Sequence, residues 1–245
     1  MSGPFESFYR SDLQALYAPW IAPVLFLLWL VFRESPREDG AEPAAARFVR
    51  AWAIAFALET LLDPLVTGPL LSRFGAEEWA AAVLLPFVLL GDFRVFLLVL
   101  FVAEPGLGLA VAAGRAALWT LVMPLVAGAT HGFLDWSSGG LPGQSLWLVY
   151  ETAFLLLAVA FALAWVPAHV APDRRGARRY LRALLAYVAV YYFLWATADA
   201  LILAGLDLGW ALRAVPNQLY YALWVPFAYA LFFRIRVIPA KHVPA

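Results

Sequence analysis

Residues 80–103, AAAVLLPFVLLGDFRVFLLVLFVA, make an apolar run interrupted by one acid, Asp92, and one base, Arg94. A hydrocarbon core about 30 Å thick needs roughly 20 apolar residues of helix, so the run is long enough to cross a bilayer. Six further runs of the same kind lie at about 17–33, 48–68, 109–128, 147–168, 182–205 and 215–234. Breakers separate several of them: ESPREDGAEP at 34–43, EPGLG at 104–108, SSGGLPGQ at 137–144 and APDRRGARR at 171–179. The expectation is an all-α polytopic membrane protein, with residues 1–245 forming a single transmembrane domain, a seven-helix bundle. Composition agrees, because 64% of the residues are hydrophobic and 14% charged, against about 25% charged in soluble proteins. The first run lacks a basic leader, so it is expected to remain as a helix.

The chain has no cysteine, which removes disulfides, thiolate metal sites and cysteine nucleophiles. Zero net charge gives no reason to expect nucleic acid as a partner. Only one basic residue, Lys241, is a lysine, a bias typical of GC-rich bacterial genes and hence of a bacterial inner (cytoplasmic) membrane. Basic residues are retained on the cytoplasmic side of a membrane. The N-terminus and the second, fourth and sixth loops hold three, Arg10, Arg73 and Arg213, and the other side holds thirteen. That asymmetry predicts an external N-terminus and a cytoplasmic C-terminus. Trp20, Trp79, Trp136, Trp147 and Trp210 then fall near outer span ends and Trp52 and Trp165 near inner ones, as an aromatic belt requires. The basic run Arg174–Arg182 reads as an orientation signal, with an anionic lipid as a second reading.

An ionisable side chain near mid-bilayer costs ~2.5–3.5 kcal/mol on insertion scales, so each marks a candidate site. Here they are Glu59 and Asp63 on the second span, Asp92 and Arg94 on the third, Glu151 on the fifth and Asp199 on the sixth, with Asn217 and Gln218 opening the seventh. A rise of 1.5 Å per residue puts Glu59 and Asp92 near the midplane, Asp63, Asp199, Asn217 and Glu151 progressively nearer the outer surface and Arg94 in the cytoplasmic half, which predicts a cavity open to the outside. Glu59 and Asp63, four apart, share one helical face, and Pro64 either kinks that helix or ends it. Asp92 and Arg94 stand about 200° apart around a helix and must meet different neighbours. Asp92 is expected to face the acids, and Arg94, a charge partner or gate, to pair with a carboxylate on another neighbour or snorkel toward the cytoplasmic surface; the alternative is an interhelical salt bridge between Arg94 and one acid that fixes the packing. Tyr191, Tyr192 and Tyr221 line a solute path or fill the core. His131 is expected in a loop and, with His169 and His242, outside the site.

Five acids against one arginine leave a charge near −4 if all are ionised, which a low dielectric does not tolerate. Protons or a bound cation must therefore balance the set. Glu59, Asp63 and Asp92 with Asn217 form an oxygen-only ligand set suited to a hard ion such as Mg²⁺, Ca²⁺ or Na⁺. Seven spans with an external N-terminus are similar in topology to rhodopsins, but the seventh span has no lysine for a Schiff base and no retinal is expected. PQ-loop carriers share that topology, and VPNQ at 215–218 resembles their motif in a different span; Glu59 and Asp63 resemble half of the paired acidic motifs of intramembrane prenyltransferases. None of these resemblances assigns a family. The polar set points first to a transporter or channel for a cation or a proton-coupled solute. Alternatives are a metal-dependent enzyme acting on a lipid-like substrate and a non-catalytic partner or sensor.

Overall fold

The computed structural model describes residues 3–33, 44–67, 80–235 and 237. The expected loop at 34–43, Gly68 to Trp79 including Arg73, and Arg236, Lys241 and His242 lie outside the described residues.

Every regular element among the described residues is helical. Helix α1 (Pro4–Tyr9) precedes a π turn (Leu13–Tyr17) that runs into α2 (Ala18–Arg33). Then come α3 (Ala44–Leu65), α4 (Ala80–Ala103) and α5 (Leu109–Ser138). Helix α6 (Gln144–Ala160) passes through a π turn (Phe161–Trp165) into α7 (Val166–His169). After α8 (Arg175–Leu203), α9 (Leu208–Asn217) passes through a third π turn (Gln218–Leu223) into α10 (Trp224–Ile235).

Among the described residues five stretches are long and apolar enough to cross a membrane: Leu13–Phe32, Leu85–Ala103, Leu109–Ser138, Gln144–His169 and Arg175–Leu203. By that criterion the chain is a multi-pass membrane protein. The other two expected spans do not meet that criterion among the described residues: α3 carries Arg47, Arg50, Glu59 and Asp63, and the α9–α10 rod carries Arg213, Asn217, Gln218 and several tyrosines. Both are helical all the same and supply buried residues to the core.

Several helix bounds differ from the sequence expectation. Helix α5 runs on to Ser138, so His131 is helical rather than in a loop, within 2.9 Å of Ser145 Oγ. Helix α8 begins at Arg175 and α9 at Leu208, each about seven residues early, because both open on polar or amphipathic turns. Helix α3 passes through Pro64 to Leu65 without ending there. Thr60 Oγ1 donates to the Phe56 carbonyl (2.8 Å) and Thr67 Oγ1 to that of Asp63 (2.7 Å), which supplies side-chain donors around the proline.

The outward faces are apolar: Ile21, Leu25, Leu118, Leu125, Leu156, Leu163 and Phe193 are all more than half exposed. Such a surface suits lipid and not water. Inward, α5 buries Ala112, Ala116, Thr120, Met123 and Ala127 at intervals of three or four, a mostly small-residue stripe on a helix that packs against α4. Helix α8 is the central post, packed against α6 on one side and α9 on the other. The tight turn between α8 and α9 has Gly205 at φ +76°, a left-handed conformation that a side chain resists.

Two arginines of the basic run end neighbouring helices. Arg174 donates to the Ala103 and Val102 carbonyls at the end of α4 (2.5 and 2.7 Å), and Arg178 to Val170 and Pro167 around the end of α7 (2.8 and 2.9 Å). They satisfy carbonyls that a helix C-terminus leaves without partners. Trp52 is 3% exposed and donates to the Arg94 carbonyl (3.1 Å), so it is a core residue and not part of an interfacial belt.

Candidate functional site

Four helices each bring a stripe of polar or aromatic residues to the end of the bundle where α1 sits. Helical spacing of three, four or seven keeps each stripe on one face. On α4 the stripe is Val88 and Asp92; on α6 it is Trp147, Tyr150 and Glu151. Helix α8 gives Tyr192, Trp195 and Asp199, and the α9 rod gives Arg213, Asn217 and Tyr220. All except Asp199, which lies behind Arg213, line a cavity of about 170 Å³ that also borders Tyr9 and Tyr221.

Asp92, 1% exposed, accepts hydrogen bonds on both oxygens: from the Tyr192 hydroxyl to Oδ1 (2.6 Å), and from the Tyr150 hydroxyl to Oδ2. Its immediate partners are therefore neutral donors and not a base. Across the cavity Arg213 pairs with Asp199 and lies 3.7 Å from Glu151 Oε1. Arg213 Nε and Asn217 Nδ2 both donate to the Tyr9 hydroxyl (3.1 Å each), and Trp195 Nε1 donates to Asn217 Oδ1 (2.9 Å). Tyr9 comes from the other end of the sequence. Helix α1 is held there by Asp207, whose carboxylate accepts the amides of Phe5 (3.0 Å) and Glu6 (3.1 Å), a cap supplied from about 200 residues away.

Beneath the cavity is a second, closed cluster. Arg94 is fully buried and donates from Nη1 to Glu59 Oε2 (3.3 Å) and Thr60 Oγ1 (3.1 Å), and from Nη2 to the Tyr220 carbonyl (2.8 Å). That carbonyl belongs to the π turn Gln218–Leu223. The guanidinium lies 4.3 Å from the centre of the Tyr220 ring, a cation–π contact. The same ring borders the cavity and reaches Gly91, where a Cβ would overlap its hydroxyl, so Tyr220 forms the partition between the two clusters. Asp63, 5% exposed, accepts from Thr67 Oγ1 (3.2 Å) and faces Tyr221.

Asp92 and Arg94 do go to different neighbours, but the expected assignment is reversed. Arg94 meets the acidic face of α3, and Asp92 meets tyrosines of α6 and α8. Glu59 and Asp63 therefore belong to the closed cluster, while Asp92, Glu151, Asp199 and Asn217 belong to the cavity. Tyr192 and Tyr221 border the cavity, whereas Tyr191 and Gln218 place polar atoms in the interior without a hydrogen-bond partner among the described residues. The hard-cation set Glu59, Asp63 and Asp92 is not brought together, since Arg94 takes Glu59 and the tyrosines take Asp92. Among the described residues no three carboxylates or imidazoles form a metal-ligating group.

Sequence reasoning missed Arg213, counted as an outer-loop charge, and gave no role to Tyr9, Tyr150 or Trp195. Helical spacing from Asp199 back to Trp195 and Tyr192, and from Asn217 back to Arg213, was the available signal. With Arg213 included, the five acids face two arginines, which still leaves three negative charges to offset if all are ionised. No family model, curated protein or solved structure matches the chain.

Proposed function

We propose that the protein is a membrane transporter or channel for a cation, or for a small solute moved with protons, and that solute enters through the cavity above Tyr220. The carrying observation is that this cavity ends on Asp92, a buried carboxylate whose hydrogen bonds come from neutral hydroxyls. A carboxylate without a fixed countercharge is where a mobile cation or proton belongs. Below it, the bonded Arg94 and Tyr220 close the path. The excess of basic residues on the opposite side supports an outward-facing cavity in a bacterial cytoplasmic membrane, with the N-terminus outside. In this reading Asp92, Glu151, Asp199, Arg213 and Asn217 handle the solute, and Arg94 with Glu59 acts as the gate or its hinge.

The test is flux of protons or monovalent cations into liposomes carrying the purified chain. Asp92→Asn removes the ionisable group at the cavity floor and is expected to reduce flux at least tenfold; unchanged flux would sink the reading. A second reading, a non-catalytic membrane partner or sensor, draws support from Arg94, whose bonds to α3 and the α9–α10 rod hold helices together. The metal-dependent lipid enzyme has less support, because its proposed ligands have separate partners.

A further inference from the structure

We infer that the cavity binds a small organic cation, an alkylammonium or quaternary ammonium group, between aromatic faces and the Glu151 carboxylate. The inference rests on the transport reading in taking this cavity as the solute's entry point, and it names that solute's class. Elimination of the polar groups around the cavity leads to it. Both oxygens of Asp92 are occupied by the hydroxyls of Tyr150 and Tyr192. Both amide atoms of Asn217 are used, by Trp195 and Tyr9. Arg213 is matched by Asp199, Glu151 and the Tyr9 hydroxyl, which leaves it poorly placed to attract an anion.

Two polar atoms of the lining residues are left without a hydrogen-bond partner among the described residues: Arg213 Nη1, which is already ion-paired with Asp199, and one oxygen of Glu151. Glu151 is 3% exposed, lines the cavity, and its Oε2 has no hydrogen-bond partner among the described residues. A buried carboxylate oxygen without a donor is costly unless something supplies positive charge or a hydrogen. Around it, seven of the twelve lining residues are tyrosine or tryptophan. Aromatic faces attract cations that carry little water, and quaternary ammonium groups are the usual beneficiaries. A bare hard ion demands six or more oxygens, which this lining does not offer. A neutral polyol would need several free donors and acceptors, and nearly all are already committed. At about 170 Å³ the cavity is close to the roughly 150 Å³ that admits a benzene-sized guest, so the cation must be small.

The test is calorimetric titration of the full chain in lipid nanodiscs with choline and with its neutral isostere 3,3-dimethylbutan-1-ol. Choline is expected to bind saturably and at least tenfold more tightly than the alcohol. Glu151→Gln is expected to weaken choline at least tenfold, while Glu151→Asp restores part of the affinity. Trp147→Leu, at a ring 40% exposed and so little needed for packing, provides a second variant with reduced affinity if Glu151→Gln does not fold. Equal binding of alcohol and choline, undiminished choline binding in Glu151→Gln or in Trp147→Leu, or no saturable binding would each overturn the inference. Asp92-dependent flux of protons or sodium without choline binding keeps the transport reading and rejects the organic cation. Choline binding without any flux upholds the site and rejects transport.

Discussion

The two charges of GDFRV, only two residues apart on α4, sit in opposite surroundings. Arg94 is enclosed by Glu59, Thr60, the Tyr220 carbonyl and the Tyr220 ring, with bonds to two other segments. Asp92 borders a cavity and is held by hydroxyls alone. The first arrangement fixes one geometry, because moving α3 or the α9–α10 rod would strand a buried guanidinium. The second leaves room for something to come and go. One helix thus carries a buried ionic joint on one side and a hydroxyl-bonded carboxylate beside a cavity on the other, and the 200° between the two residues is what separates them.

The comparison breaks most visibly at Arg94. Arg94→Met leaves Glu59 buried without its partner, and removing one member of a buried pair costs about 3–5 kcal/mol. Thermal unfolding in detergent is expected to show a large loss, and adding Glu59→Met should recover part of it. A small change in the single variant would mean that the cluster is not a joint. Gly91→Ala tests the partition: overpacking against the Tyr220 hydroxyl costs about 1–3 kcal/mol, and Tyr220→Phe in the same chain should relieve part of it, since Cζ of the ring still lies 2.6 Å from the added Cβ. Absence of rescue would separate Gly91 from Tyr220. Asp92→Asn keeps the side chain's shape but turns an amide donor toward a hydroxyl donor, for about 1–2 kcal/mol. Its effect on flux should therefore far exceed its effect on melting, the reverse of Arg94→Met. Smallest is Asp207→Ala, which removes the cap on α1 for about 1 kcal/mol. Faster amide exchange confined to residues 4–9, with the melting temperature nearly unchanged, is the expected readout.

How much of this was legible in the sequence depends on which forces act locally. Helix α4 ends where expected, at Ala103, because its apolar run stops there and Glu104-Pro105-Gly106 follows. The bounds of α5, α8 and α9 differ from expectation, because hydropathy reports where lipid could lie, whereas helical hydrogen bonding continues through amphipathic turns until a residue such as Gly139 stops it. The divergence of Asp92 and Arg94 follows from the angle per residue alone. Their partners do not, since nothing in one helix says which neighbour packs on which side. Arg213 was hidden for a related reason: a basic residue just outside an apolar run reads as an orientation signal, and only the fold of α9 back along α8 turns it toward Asp199.

The cap on α1 also constrains the order of assembly. The carboxylate that caps the first amides of α1 lies about 200 residues further along the chain, on the α8–α9 turn, so the cap forms only after that turn has been made. Tyr9, which α1 carries to the cavity wall, cannot take its place until Arg213 and Asn217 exist. A chain cut before Asp207 would lack both the cap on α1 and the Arg213 and Asn217 contacts that hold Tyr9 at the cavity.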